Sequence, residues 1–87
     1  MGQQAKIEVT FYTKAGCHLC DDARELLEEI AEGTEYTLNE IDIRADMAVF
    51  ELYRYRIPVI RINQDTLLEG RIEADELARA FQQARGA

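Results

Sequence analysis

Lys6-Ile7-Glu8-Val9-Thr10-Phe11-Tyr12-Thr13-Lys14-Ala15-Gly16-Cys17-His18-Leu19-Cys20 is the stretch on which the fold turns. Its first half alternates, Ile7, Val9 and Phe11 against Glu8, Thr10 and Tyr12, which is the period of a pleated strand. A turn through Thr13-Lys14-Ala15-Gly16 follows, and then the period changes. Leu19, Ala23, Leu26, Leu27 and Ile30 recur on one helical face while Asp21, Asp22, Arg24, Glu25, Glu28 and Glu29 take the other. Gly33 stops that helix. Two thiols therefore stand where a strand hands over to an amphipathic helix, Cys17 at or just before the first turn and Cys20 one turn on along the same side. Their α-carbons fall within disulfide range.

This geometry matters because the nucleophile in thiol–disulfide exchange is a thiolate, and the unpaired amides of a helix N-terminus favour an anion. The helix dipole contributes about 0.3–2 kcal/mol, roughly one pKa unit or less. Protonated His18 pushes the same way; Asp21 and Asp22 push the other, so a moderately activated thiol is expected. Cys17, at the helix mouth, is the expected attacking sulfur, and Cys20 the resolving one from the more buried side. Other readings stay open. The pair can be inert buried thiols or a structural bridge, although so short a loop constrains the unfolded chain little. Zinc would need Cys17, His18 and Cys20 to converge, and the chain has no other His or Cys to complete a closed site. No metal is expected.

Eighty-seven residues bound the chain to one small domain, residues 1–87, whose core is adequate but not generous. Charged and apolar residues are interspersed, with no repeat, linker or low-complexity segment. Lys and Arg total 10 against 17 Asp and Glu, a net charge of −7, which argues against a general nucleic-acid role. Met1-Gly2-Gln3-Gln4-Ala5 lacks the apolar core of a leader, and no segment is long enough to span a bilayer. The expectation is a cytoplasmic monomer with no membrane partner. In such a reducing compartment a disulfide is transient and catalytic rather than structural.

Further along, Tyr36 to Ile43 reads as a second strand with conflicting parity, since Tyr36 and Leu38 share one face and Ile41 and Ile43 the other. Asp46 caps a short helix to about Tyr53, with Val49, Phe50 and Tyr53 turned inward. Val59, Ile60 and Ile62 form a third strand, Asn63-Gln64-Asp65 a turn, and Thr66 to Glu69 a fourth strand broken by Gly70. A last helix spans roughly Glu73 to Ala84 and buries Ala74, Leu77, Ala78, Phe81 and Ala84. The order is βαβαββα: strands separated by helices run parallel, the closing hairpin antiparallel, giving one four-stranded mixed sheet flanked by helices.

Strand, Y-T-K-A-G-C-H-L-C, amphipathic helix, then R-I-P-V-I before a hairpin and final helix resembles a glutaredoxin-like protein of the thioredoxin-fold superfamily. The resemblance covers nearly the whole chain. It implies an α/β thioredoxin-like fold with a redox-active Cys17–Cys20 pair, and a cis Pro58 facing that pair. Pro58, lacking an N–H, would leave a gap in the ladder where the backbone of Ile57 or Val59 meets an added substrate strand. The family's glutathione pattern implies Lys14 for a carboxylate, Val59 backbone for pairing, and the loop at Gly70 for the far end of the tripeptide. The chain departs from that pattern in having His18 and Leu19 between its cysteines, where better-known members have Pro and Tyr. It also reads E-G-R-I-E-A-D-E-L where those members have paired glycines followed closely by Asp.

In the chain's own residues, Lys14, Arg54, Arg56 and Arg71 fall near the expected Cys17 rim and form a candidate patch for carboxylates. Tyr12 is a candidate wall for the disulfide. Tyr53 and Tyr55 read as packing and loop residues, and His18 as a partly exposed modifier of the thiol. The expected function is a small dithiol oxidoreductase that reduces protein or glutathione mixed disulfides. It would hold no cofactor and would draw electrons from glutathione, as reducing co-substrate, or from a thioredoxin-type reductase. The competing expectation is a carrier or interaction module on the same fold, holding an iron–sulfur cluster or a partner.

Overall fold

In the computed structural model, which describes residues 6–86, the alternating stretch becomes β1, Ile7–Thr13, with Ile7, Val9, Phe11 and Thr13 buried on one face. Met1 to Ala5, read above for the missing leader core, lie outside the described residues. The remaining elements are α1 (His18–Ile30), β2 (Tyr36–Asp42), a single 3₁₀ turn (Ile43–Ala45), α2 (Met47–Tyr53), β3 (Val59–Ile62), β4 (Thr66–Glu69) and α3 (Ala74–Gly86). The strands lie in the order β2-β1-β3-β4. β1 and β2 are parallel, β1 and β3 antiparallel, and β3 and β4 close an antiparallel hairpin. Its turn places Asn63 at φ 55, a left-handed conformation Asn tolerates, and the Asn63 side chain accepts the Glu8 amide at 2.9 Å.

The sheet has an apolar layer on each face. One contains Ile7, Val9, Phe11, Cys20, Ala23, Leu27, Ile60, Ile62, Leu77 and Phe81, which packs α1 and α3 on the same side of the sheet. The other is smaller, with Ile43, Tyr53 and Val59 buried and Tyr12, Val49, Phe50 and Ile57 packed against them, and it carries α2. Successive side chains on a strand point to opposite faces, so Tyr12 serves the second layer while Phe11 serves the first.

This arrangement resolves the parity conflict in β2. Register pairs Tyr36 with Ile7 and Leu38 with Val9, but Ile41 with Tyr12. The strand thus turns Tyr36 to the α1/α3 layer, where it packs, and Ile41 to the opposite face, while Leu38 shares the face of Tyr36 but stays exposed. Ile43 has left the strand for the 3₁₀ turn and is fully buried in the second layer. Two expected core positions are not in the core. Leu19 is 36% exposed and Ala74 is exposed; each stands in the first turn of its helix. Cys20 and Ala80 are buried instead, at 0% and 4% exposure, and Ala78 and Ala84 are only half-buried.

Candidate active site

Gly16, at φ 81, turns the chain out of β1 and into α1, a conformation that costs a side-chain-bearing residue about 1–2 kcal/mol. Cys17 then adopts extended backbone as the N-cap of α1, and its sulfur accepts the Cys20 amide at 3.1 Å. Asp21 N–H donates to the Cys17 carbonyl at 3.1 Å, the first bond of the helix ladder. The two sulfurs are joined as a disulfide, with their α-carbons 5.2 Å apart. Cys20 is wholly buried against Ala23 and the β1 face, whereas Cys17 is half-buried at the surface. On reduction the outer sulfur is the accessible one. As an anion it would keep the Cys20 amide and lie at the free amides of the first turn.

Pro58 follows a cis peptide bond from Ile57, as the resemblance implied. The segment belongs beside the disulfide by register: Tyr12, the last β1 residue paired with β3, faces Val59, and β1 continues only to Thr13 before the turn to Cys17. Ile57 and Cys17 both pack on the α1/α3 layer. Gly70, at φ 73, holds the loop from the other side by donating its N–H to the carbonyls of Pro58 (2.9 Å) and Arg56 (3.2 Å). Val59 lies inside the sheet, facing Tyr12 on one side and Glu69 on the other. The Val59 backbone expected to meet a substrate strand is thus flanked by β1 and β4, whereas Ile57 and Pro58 precede β3.

Tyr12 also departs from its expected role. Its ring belongs to the layer opposite α1 and is stacked on Tyr53 with centroids 4.3 Å apart, so it does not wall the disulfide. His18 is the exposed first residue of α1. Lys14 is exposed, forms none of the ion pairs of the described residues, and borders a hollow with Thr13, Asp21, Arg24, Glu40 and Asp42. Within it Arg24 pairs with Glu40 and with Asp21. Next to it Asp42 receives the Arg44 guanidinium at 2.9 Å and the Arg44 amide at 2.9 Å, and its carboxyl is lowered from 3.8 to about 2 by those two bonds in that order.

The structure disperses the four cations grouped from sequence. Arg56 makes a two-point pair with Glu69, 2.8 and 3.1 Å, which lowers the Glu69 carboxyl. Arg54 rests on the rings of Phe50 and Tyr55, 4.7 and 4.8 Å away. Arg71 lines a second hollow with Leu19, Ala23, Leu26 and Ile72, separate from the Lys14 hollow. Arg56 found its partner through the β3–β4 hairpin, whose register sets Glu69 opposite Val59.

Tyr53, expected as a packing or loop residue, is a hub. Its ring is 5% exposed between Tyr12 and the Arg56 guanidinium (5.0 Å), and its hydroxyl accepts Arg61 at 3.4 Å. Its carbonyl accepts the N–H groups of Arg56 (2.8 Å) and Ile57 (3.1 Å). Nothing in a single sequence marks this, because the bonds to the loop are made by backbone. Among the described residues no three His, Cys, Asp or Glu side chains converge as a metal site, and no helix is long and apolar enough to cross a membrane.

With this geometry established, comparison with known proteins assigns the family. Residues 8–82 match the model of the Glutaredoxin-like domain (DUF836), and the chain belongs to that family. It is 32% identical over 77 residues to the glutaredoxin-like protein YDR286C homolog of Dictyostelium discoideum, covering 82% of this chain and 71% of the relative. Among solved structures it is similar to XcR50 from X. campestris, with TM-score 0.74, 29% identity, and coverage of 86% of this chain and 96% of that one. A thioredoxin variant from Halobacterium salinarum, 19% identical, superposes with TM-score 0.71 over 91% of this chain and 74% of its own. The fold is therefore the α/β thioredoxin-like fold. Together with the Cys17–Cys20 pair it supports oxidoreductase chemistry in general.

Proposed function

We propose that the chain is a dithiol–disulfide oxidoreductase that reduces mixed disulfides of proteins or of glutathione. The observation that carries the reading is the asymmetry of the pair: Cys17 caps a helix at the surface, and Cys20 is sealed behind it within bonding distance. In the first step the Cys17 thiolate attacks a substrate disulfide, forming a Cys17 mixed disulfide and expelling one substrate thiolate, which takes up a proton. Cys20 then loses its proton and attacks the Cys17 sulfur, releasing the second substrate thiol and leaving the intramolecular disulfide. Two electrons and two protons restore the dithiol. Two glutathione molecules supply them by becoming glutathione disulfide, or a thioredoxin-type reductase does so. Lys14, exposed and in no ion pair among the described residues, supports a contact to a substrate carboxylate.

The test compares wild type, Cys17→Ser and Cys20→Ser with each electron source on a small disulfide. Loss of turnover in Cys17→Ser is expected with either donor. Loss in Cys20→Ser marks the dithiol route, and activity surviving there only with glutathione marks a monothiol route. Turnover unaffected by Cys17→Ser would overturn the reading. Absent turnover with visible charge-transfer absorption after anaerobic reconstitution would favour a cluster carrier.

A further inference from the structure

β2 stands at one end of the strand order, so the edge it turns away from β1 has no neighbouring strand among the described residues. Along a strand every second residue directs its N–H and C=O to a given edge, and among the described residues the Tyr36–Asp42 backbone bonds to no backbone outside its strand pairing. The edge is long and unbroken: seven residues hold continuous register with β1, without proline, glycine, lysine or a bulge. The opposite edge, β4, has four residues. Open edges are ordinarily guarded by such devices against pairing with other chains. Here the guard is acidic charge. Glu40 and Asp42 share the α1 face of the sheet with Phe11 and Thr13, Glu35 stands one residue ahead of the strand, and Glu28 lies one helical turn from Arg24, which pairs with Glu40. Arg24 and Arg44 are each engaged with a carboxylate of the strand. Glu28 and Glu35 join no ion pair among the described residues. On the same face Leu38 is 42% exposed.

We propose that the β2 edge is a docking site for a basic, extended segment of a partner protein, which adds to the four-stranded sheet as a further strand. An acidic guard is selective. A second copy of the chain, itself carrying −7, would set acid against acid at this edge, whereas a strand bearing Lys or Arg meets opposite charge. The two faces of β2 define what that strand carries. The α1 side presents Leu38, Glu40 and Asp42, and the other side the uncharged Thr37, Asn39 and Ile41. The fitting segment therefore has basic residues flanking an aliphatic one at alternate positions, with small uncharged residues between. Its aliphatic side chain covers Leu38, its basic ones meet Glu40 and Asp42 toward one end and Glu28 and Glu35 toward the other, and the pattern reads alike in both chain directions. The inference goes beyond the thiol chemistry and does not require it.

The probe is a fluorescein-labelled peptide with valine at its centre, lysine at alternate positions on both sides and threonine between, titrated into the full chain at low ionic strength. Anisotropy should show saturable binding that weakens roughly tenfold or more when glutamate replaces each lysine. N-methylation of alternate amides removes the donors of one peptide edge; methylating the edge that faces β2 should weaken binding roughly tenfold, and methylating the other should leave it near the parent. Hydrogen exchange followed by NMR should slow at every second amide of β2 when the peptide binds. Leu38→Lys, a change at an exposed position, should leave thermal unfolding as in wild type and weaken the peptide roughly tenfold, as lysine guards an edge. Absence of saturable binding, binding that survives methylation of either edge, or slowed exchange confined to amides outside β2 would overturn the proposal. A dimer in sedimentation whose β2 amides are already protected would also overturn it, by making a second copy the occupant. Cys17→Ser should bind the peptide as wild type does while losing turnover, so failure of the dithiol reading leaves this result standing.

Discussion

Replacing Tyr53 tests whether the second layer anchors the loop that faces the disulfide. Tyr53→Ala removes a ring that is 5% exposed and stacked on Tyr12 at 4.3 Å. Truncation of a buried large aromatic costs about 3–5 kcal/mol, of which the stack accounts for about 0.5–1.5. Tyr53→Phe keeps ring and stack and loses only the hydroxyl contact to Arg61. At 3.4 Å and part-buried, that contact is at the long limit of hydrogen bonding and is worth about 0.5 kcal/mol or less. An 87-residue chain at about 0.05–0.15 kcal/mol per residue has about 4–13 kcal/mol in total, so the alanine variant loses a large share of it. At roughly 4–8 °C per kcal/mol for a domain of this size, its melting point falls by about 12 °C or more, and the phenylalanine variant's by about 4 °C or less. Urea unfolding followed by circular dichroism should place the two midpoints accordingly, with similar slopes. Equal losses in the two variants would show that the Arg61 bond, not the stack, secures the loop; an alanine cost below about 1 kcal/mol would show that the ring anchors nothing.

Alkylation of the reduced protein should label Cys17 about tenfold or more faster than Cys20, following exposure and thiolate character; mass mapping with the order reversed would move the nucleophile to Cys20. Gly70→Ala should destabilise by about 1–2 kcal/mol through its positive φ alone, since its added Cβ meets open space, and unchanged thermal unfolding would contradict that. Asp42 has a folded-state carboxyl value below its unfolded one, so its contribution to stability is complete above about pH 4 and disappears as pH falls toward about 2. Asp42→Asn should therefore flatten the acid limb of the stability curve in that window, and an unaltered limb would dismiss the Arg44 pair as a contributor. Lys14→Glu should lower glutathione-dependent turnover while leaving the unfolding midpoint within about 0.5 kcal/mol of wild type; unchanged kinetics would remove Lys14 from the site.

The elements around Cys17 were readable because each is written locally. Strand alternation through Tyr12, a helix period beginning after Cys17, and Pro58 ahead of an aliphatic run are each patterns contained within a few residues. What escaped depends on register. The conflicting parity of Tyr36 and Ile41 reads as an uncertain strand, yet it is the signature of a strand that places apolar residues on both faces. The sequence does not say which carboxylate Arg56 meets, because Glu69 is brought to it only by the β3–β4 hairpin. Tyr12 is near the disulfide in sequence, but one step along a strand reverses the face and sends its ring to Tyr53. The same logic explains why the Ile57 N–H bond to the Tyr53 carbonyl is invisible to motif reading. R-I-P-V-I states that Pro58 cannot donate, but whether the residue before it can donate depends on where α2 ends. Here α2 ends at Tyr53, four residues before Ile57, so the Tyr53 carbonyl meets the Ile57 amide as one further turn of helix-like bonding.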